Sequence, residues 1–188
     1  MDVLGVAYFP PISYISLLKR GDVFLEAHEN YQKQSWRNRC SILSANGVEA
    51  LQVPVVHDGS KLITDIKVDY SKGFLVRHQR AIDSAYMSSA YFEYYRDALY
   101  ALMDSRPATL WELDMAIMGF FAKQLGLPMP QLTQEFTGVN IDIHPKHPDM
   151  YYKEKPYFQV FSQKYGFVPD LSVMDLLFNE GPGAIDYL

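Results

Sequence analysis

Two arginines two residues apart, in Trp36-Arg37-Asn38-Arg39, are the most pointed chemistry in the sequence. In a strand such residues project to one face. Paired guanidiniums there offer planar two-donor forks suited to phosphate or carboxylate. The same arginines can instead pair with Glu26, Glu29 or Glu49 and merely solubilise a sheet. Glu26 and His28 share one face of the preceding run, with Glu29 next along. A carboxylate beside an imidazole suits acid–base work near neutral pH, or is simply a polar strand face. His78 lies on an otherwise apolar helical stripe, either as a satisfied core histidine or as one lining a cleft. Asp175 and Asn179, one helical turn apart, suit a sugar hydroxyl or an amide, although Ser172 with Asp175 also reads as a helix-start box.

Other candidates carry less. Cys40 points to the core side of its strand, where thiols are inert. His144-Pro145-Lys146-His147-Pro148 places two imidazoles three apart, but a catalytic zinc wants three protein ligands and no companion site is signalled. No metal site is expected. The chain lacks a P-loop, G-x-G-x-x-G, G-x-S-x-G and H-E-x-x-H, which removes the usual support for nucleotide hydrolysis and the common hydrolases. No cofactor is expected either.

The elements that must position these residues fall in three stretches. Residues 1 to about 70 read as mainly β. Val3 to Phe9 is an apolar run stopped by Pro10-Pro11, Ile12 to Lys19 suits a short helix, and Asp22 to His28 alternates like a strand. Asn46-Gly47 predicts a two-residue type I′ hairpin turn, pairing Ala45 with Val48, Ile42 with Leu51 and Cys40 with Val53. Its core face carries Cys40, Ile42, Leu51, Val53 and Val55; its other face carries Arg37, Arg39, Ser41 and Gln52. A strand over Leu62 to Val68 completes the stretch.

The second stretch is helical. Leu75, Ile82, Ala85 and Tyr86 align with His78, and Phe92, Tyr95, Leu99 and Leu102 form the next stripe. Thr109 and Glu112 form a capping box opening a helix that ends at Gly126. That helix is apolar on two sides, so it is either sandwiched in the core, the preferred reading, or faces a second subunit in a homodimer. The third stretch is loop-rich to about Tyr157, with a short strand at Gln159 to Phe161 and a last helix from about Asp170 to Asn179. The expectation is a single α+β domain over residues 1–188, a mainly antiparallel N-terminal sheet with a helical cluster packed on it.

At 188 residues and 48% apolar content, the chain can bury roughly 70% of its unfolded surface without disulfides or metal. A net charge of −5 with no basic block argues against a nucleic-acid partner. No apolar run approaches the ~20 residues of a membrane helix, Met1-Asp2-Val3-Leu4-Gly5 is no secretory leader, and one cysteine suits a reducing compartment. A cytoplasmic protein is expected. Tyrosine is in excess, with 14 Tyr beside 11 Phe and 2 Trp; Tyr151, Tyr152 and Tyr157 stand in the loop-rich stretch as a ligand or partner surface.

Several strings together resemble the WbqC-like family. They are Tyr8-Phe9-Pro10-Pro11-Ile12-Ser13-Tyr14, Asp22-Val23-Phe24, Trp36-Arg37-Asn38-Arg39 and Val53-Pro54-Val55, then His78, Ile82 and Tyr86, and finally Gly166 to Gly181 with its Leu171-Ser172-Val173-Met174-Asp175 segment. The resemblance implies a bacterial protein of O-antigen, lipopolysaccharide or other surface-polysaccharide biosynthesis. It suggests acyl or aminoacyl (glycyl) transfer to a nucleotide sugar or glycan precursor; the alternative is a non-catalytic glycan- or partner-binding protein of the same pathway. Carried onto this sequence, it marks Tyr8, Pro10, Tyr14, Arg37, Asn38, Arg39, His78, Tyr86, Asp175 and Asn179. With Glu26 and His28 from spacing, the catalytic candidates are His78, His28 and Asp175; the others would bind substrate. Two departures stand out: Val6-Ala7 replace a Gln-Pro common in the family, and the region between Gly126 and Tyr157 is compressed.

Overall fold

A computed structural model describes residues 1–146, 152–153 and 155–188. His147 and Tyr151 lie outside the described residues. The first apolar run forms only a short strand, β1 (Asp2–Leu4), before the proline-rich segment turns into helix α1 (Ile12–Arg20). Helix α1 ends at Gly21, whose φ of +82° glycine accepts without strain. The chain then enters β2 (Val23–Leu25), which pairs parallel with β1, Val3 opposite Phe24. β5 (Gln131–Leu132) adds a third parallel strand beside β2.

The expected mainly antiparallel sheet is therefore corrected: the strands are few, short and mixed in direction. The reason is α1 itself. A helix between two strands carries the chain back to the starting end of the sheet, so the second strand must run parallel to the first.

The antiparallel part is the hairpin β3 (Arg39–Ser44) and β4 (Gly47–Gln52), which forms its own two-stranded sheet. Its register differs from expectation. Cys40 faces Leu51 and Ile42 faces Glu49, because the turn sits on Ala45-Asn46 and only Gly47 has positive φ, +106°. A slip of two residues keeps every side chain on its expected face. Cys40, Ile42, Leu51 and Val53 are buried accordingly. The strand expected over 62–68 is instead a 3-10 turn, Ile63–Asp65, with isolated pairs Val55–Val68 and Lys67–Thr109.

Helices α2 (Phe74–Tyr86), α3 (Phe92–Asp104) and α4 (Leu110–Leu125) follow the expected stripes. The Thr109–Glu112 capping box forms, and Gly126 closes α4 at φ +68°. Leu110, Leu113, Ile117 and Phe121 are fully buried, while Trp111 and Met115 on the second stripe pack partly buried against the same core. Helix α4 is thus sandwiched within the chain. Residues 159–161, expected as a strand, form no strand and lead into a short helix α5 (Ser162–Tyr165), and α6 (Val173–Glu180) runs into a 3-10 turn, Gly181–Tyr187. Among the described residues no helix is long and apolar enough to cross a membrane.

The first and last signature strings meet. Ile12 N–H donates to the Leu171 carbonyl at 3.0 Å and Val173 N–H to that of Pro10 at 2.8 Å. Asp170 accepts from the Ser13 amide and hydroxyl, both at 2.8 Å. Pro10 thereby acts through its carbonyl as a strut between the two ends of the chain.

Candidate functional site

Beside the open end of the hairpin lies a cavity of about 690 Å³, walled by Asn38, Gln52 and the Val53-Pro54-Val55 string, with Tyr31, Lys33, His57 and Lys72 around it. Its volume falls in the range of small-molecule sites. A smaller cleft of about 200 Å³ lies at Gly21–Phe24 and Pro128–Gln131, but no charged side chain except that of Asp22 lines it. The large cavity holds its shape because the chain is pinned on both sides: Val56 N–H donates to Lys67 O at 2.9 Å, and Asp69 N–H to Pro54 O at 2.9 Å.

Gln52 gathers two of the expected site residues. Its backbone carbonyl receives His78 Nε2 at 3.1 Å, and its side-chain oxygen receives Arg39 NH2 at 3.3 Å. A carbonyl only accepts, so Nε2 carries the proton and Nδ1 accepts from Tyr8 O–H at 2.8 Å. Both ring nitrogens of His78 are therefore engaged. Burial pushes its pKa down to about 4, against the upward pull of the Gln52 bond, so the imidazole is neutral at pH 7. The Tyr8 phenol, itself fully buried, is pushed far above its ordinary range by desolvation. Tyr8–His78–Gln52 is thus a rigid neutral chain ending on the cavity wall.

Asn38 is held just as firmly. Its Nδ2 donates to the Val53 carbonyl at 3.1 Å and its own carbonyl receives Val53 N–H at 2.7 Å. Its Oδ1 is buried without a partner among the described residues, as is Arg39 Nε.

Arg37 does not share the open face with Arg39. It is 3% exposed and grips Glu29 with two bonds, Nε–Oε1 at 2.7 Å and NH2–Oε2 at 2.6 Å. Residues 36–38 precede β3 and do not alternate as a strand, so the i, i+2 rule does not reach Arg37. A Cβ at Gly5 would stand 2.4 Å from the guanidinium, so glycine is required there for the pair to fit. Tyr14, two per cent exposed, donates to the Gly5 carbonyl at 2.9 Å and steadies the same turn.

The remaining candidates lie elsewhere. Glu26 is fully buried and accepts from His28 N–H, Thr133 Oγ1, Thr137 N–H and Gly138 N–H at 2.7–2.9 Å. Burial works to raise its pKa, yet these donors outweigh it and hold the carboxyl below its ordinary value. His28 is exposed and bonds Thr133 O at 3.1 Å. The Glu26–His28 pair is therefore an anchor for the 133–138 segment. Asp175 accepts from Tyr157 O–H at 2.6 Å and Gln159 Nε2 at 3.1 Å, and burial raises its pKa despite those bonds. The Tyr86 hydroxyl lies in the field of Asp175 but outside hydrogen-bond geometry with it. Asn179 Nδ2 donates to the Asp175 carbonyl at 2.7 Å.

Sequence reasoning missed several residues. Asp114, fully buried in α4, has neither carboxylate oxygen partnered among the described residues, and desolvation pushes its pKa far up, against the pull of Arg37. Its signal was a charge inside an apolar helix. Tyr31, Lys33, His57 and Lys72 sit outside regular strands, and no spacing rule brings them together. Among the described residues no group of three His, Cys, Asp or Glu could hold a metal ion.

Comparison with known proteins places the signature strings in context. Residues 6–140 match the family model of the WbqC-like protein family. An uncharacterized protein of Mycobacterium tuberculosis is 24% identical, an alignment covering 96% of this chain and 94% of that one. The alignment spans 218 positions against 188 residues here, so the pair differ by insertions and deletions. No solved structure matches.

Proposed function

Because the chain belongs to the WbqC-like protein family, we propose that it works in the cytoplasm as one domain, residues 1–188, binding a nucleotide sugar or glycan precursor of surface-polysaccharide synthesis in the cavity beside the hairpin. The observation that carries this reading is convergence. Asn38 from the Trp-Arg-Asn-Arg string and all of Val53-Pro54-Val55 wall the cavity, and His78 with Tyr8 braces Gln52 from behind. Signature residues far apart in sequence thus build one concave surface.

Acyl or aminoacyl transfer to an amine of that precursor is the chemistry the resemblance suggests. His78 is a poor base for it, with both nitrogens occupied; its role is to position Gln52. His57, exposed on the cavity wall and unpartnered among the described residues, is the imidazole free to accept the proton of an attacking amine. A thermal-shift screen against nucleotide sugars, acyl-CoA and free amino acids tests the reading, since a specific ligand stabilises the folded state by mass action. Stabilisation by nucleotide sugars, lost on mutating Gln52 to Ala, is expected. No shift with any nucleotide sugar would remove it. His57→Ala should abolish transfer while leaving nucleotide-sugar binding in place; undiminished transfer in that variant would remove His57 as the base.

A further inference from the structure

The hydrogen-bond polarity of the wall bears on what the ligand carries, on the premise that this cavity is the binding site. Gln52 is a wall residue held at both ends. His78 Nε2 occupies its backbone carbonyl at 3.1 Å, and Arg39 NH2 its side-chain oxygen at 3.3 Å. A guanidinium only donates, so the Gln52 amide has one orientation against it, with Oε1 toward Arg39 and Nε2 away. The Nε2 hydrogens have no partner among the described residues. Gln52 is also exposed, so a ligand in the cavity can reach them.

Arg39 makes the second, independent observation. Gln52 is its only side-chain hydrogen-bond partner, and no carboxylate lies within ion-pair distance of it among the described residues. Its Nε is closed off from solvent and its NH2 is on Gln52, so the side-on fork that grips an anion is not on offer. Its charge is nevertheless felt at the wall. Burial raises the pKa of the wall residue Tyr31, while the field of Arg39 pulls it down. A cation without a counter-charge, bonded to an amide oxygen, polarises that amide and strengthens its N–H donors.

We infer that the cavity seats a sugar bearing an acyl or carboxyl group, whose sp2 oxygen accepts from Gln52 Nε2. Arg39 is the positioning residue that sets the polarity of the amide. A donor-only group under a positive field selects the strongest acceptors. On a sugar these are acyl and carboxyl oxygens, because a hydroxyl brings a proton of its own that must point elsewhere.

NMR titrations of the full chain test this with methyl glucoside, methyl N-acetylglucosaminide and methyl glucuronide. At least one of the last two should bind about five-fold more tightly than methyl glucoside, the worth of one net hydrogen bond. Which of them does so separates an acyl from a carboxyl ligand. Gln52→Glu keeps an acceptor toward Arg39 but has no hydrogens to donate, so the preference should vanish, and the glucuronide should fall below the glucoside. Arg39→Met frees the amide to turn and should shrink the same ratio, which a merely structural loss, weakening all three probes alike, would not do. Melting curves verify that both variants fold, and either one alone decides the matter. Equal binding of the three glycosides by the wild type, or a preference that survives Gln52→Glu, would overturn the assignment. Nucleotide sugars that still stabilise the fold in that event leave the cavity reading standing. Failure of the glycosides and of every nucleotide sugar together sinks both.

Discussion

Two of the buried polar networks in this protein differ in where their hydrogen bonds end. The Tyr8–His78–Gln52 chain, with Asn38–Val53 and Arg37–Glu29 beside it, ends on residues that wall a cavity. The Tyr157–Asp175–Gln159 cluster ends on itself and on the Val168 backbone, at 2.8 Å in both directions. Both are low in exposure, so burial does not separate them. The first transmits its rigidity to an open surface; the second clamps the segment 157–168 onto α6. A buried polar residue is thus a site residue only if the chain of bonds it belongs to reaches solvent-accessible wall.

The sharpest way to break this contrast is Arg37→Ala. It strands Glu29 as a buried, unpaired carboxylate and should cost about 3–5 kcal/mol by chemical denaturation. A loss below 1 kcal/mol would mean that Arg37 is available to ligand after all.

His78→Gln comes next. The folded pKa of His78, about 4, lies below its ordinary 6.5, so the unfolded chain binds the proton more readily. Its contribution is fully present above pH 6.5 and is lost as pH falls toward 4, about 3 kcal/mol in all. Denaturation midpoints measured across pH 7 to 4 should fall steeply in the wild type and much less in the variant; parallel slopes would show that His78 is not held neutral.

Asp175→Asn should cost about 1–3 kcal/mol and leave ligand affinity unchanged, because its network stops short of the cavity. A variant of wild-type stability with weakened ligand binding would erase the distinction between the two networks. The smallest effect and the opposite sign belong to Asp114→Asn. The folded pKa of Asp114 is raised by burial, so its penalty is absent below the ordinary carboxylate pKa and grows as pH rises. The variant should melt a few degrees higher at pH 8 and match the wild type near pH 3.

Legibility varied with the range of the interactions. The helices, the Thr109 capping box and the buried side of the hairpin were readable because periodicity and capping act over a few residues. The hairpin register was missed because Asn46-Gly47 suits more than one turn, and a two-residue turn on Ala45-Asn46, with Gly47 at positive φ opening β4, satisfied it equally well. Parallel pairing of β1 with β2 followed from the helix between them, which was expected without its consequence for strand direction.

The site divides the same way. His78 on a buried stripe, Asn38 beside the hairpin and Asp175 on the last helix were all legible as notable residues. Arg37 was legible as an arginine of consequence, but its partner and its burial were not, since Glu29 competes with Glu26 and Glu49 until the turn at Gly5 brings it within 2.7 Å.

By itself the sequence determined which side chains are polar within apolar stretches, where helices start and stop, and which family's strings the chain carries. Only the tertiary structure decided that His78 has no free nitrogen, that Arg37 is spent on Glu29, and that Lys33, His57 and Lys72 stand around one cavity with Asn38. The physical reason is that periodicity is local, whereas desolvation and hydrogen-bond saturation are set by whichever distant residues complete each side chain's surroundings.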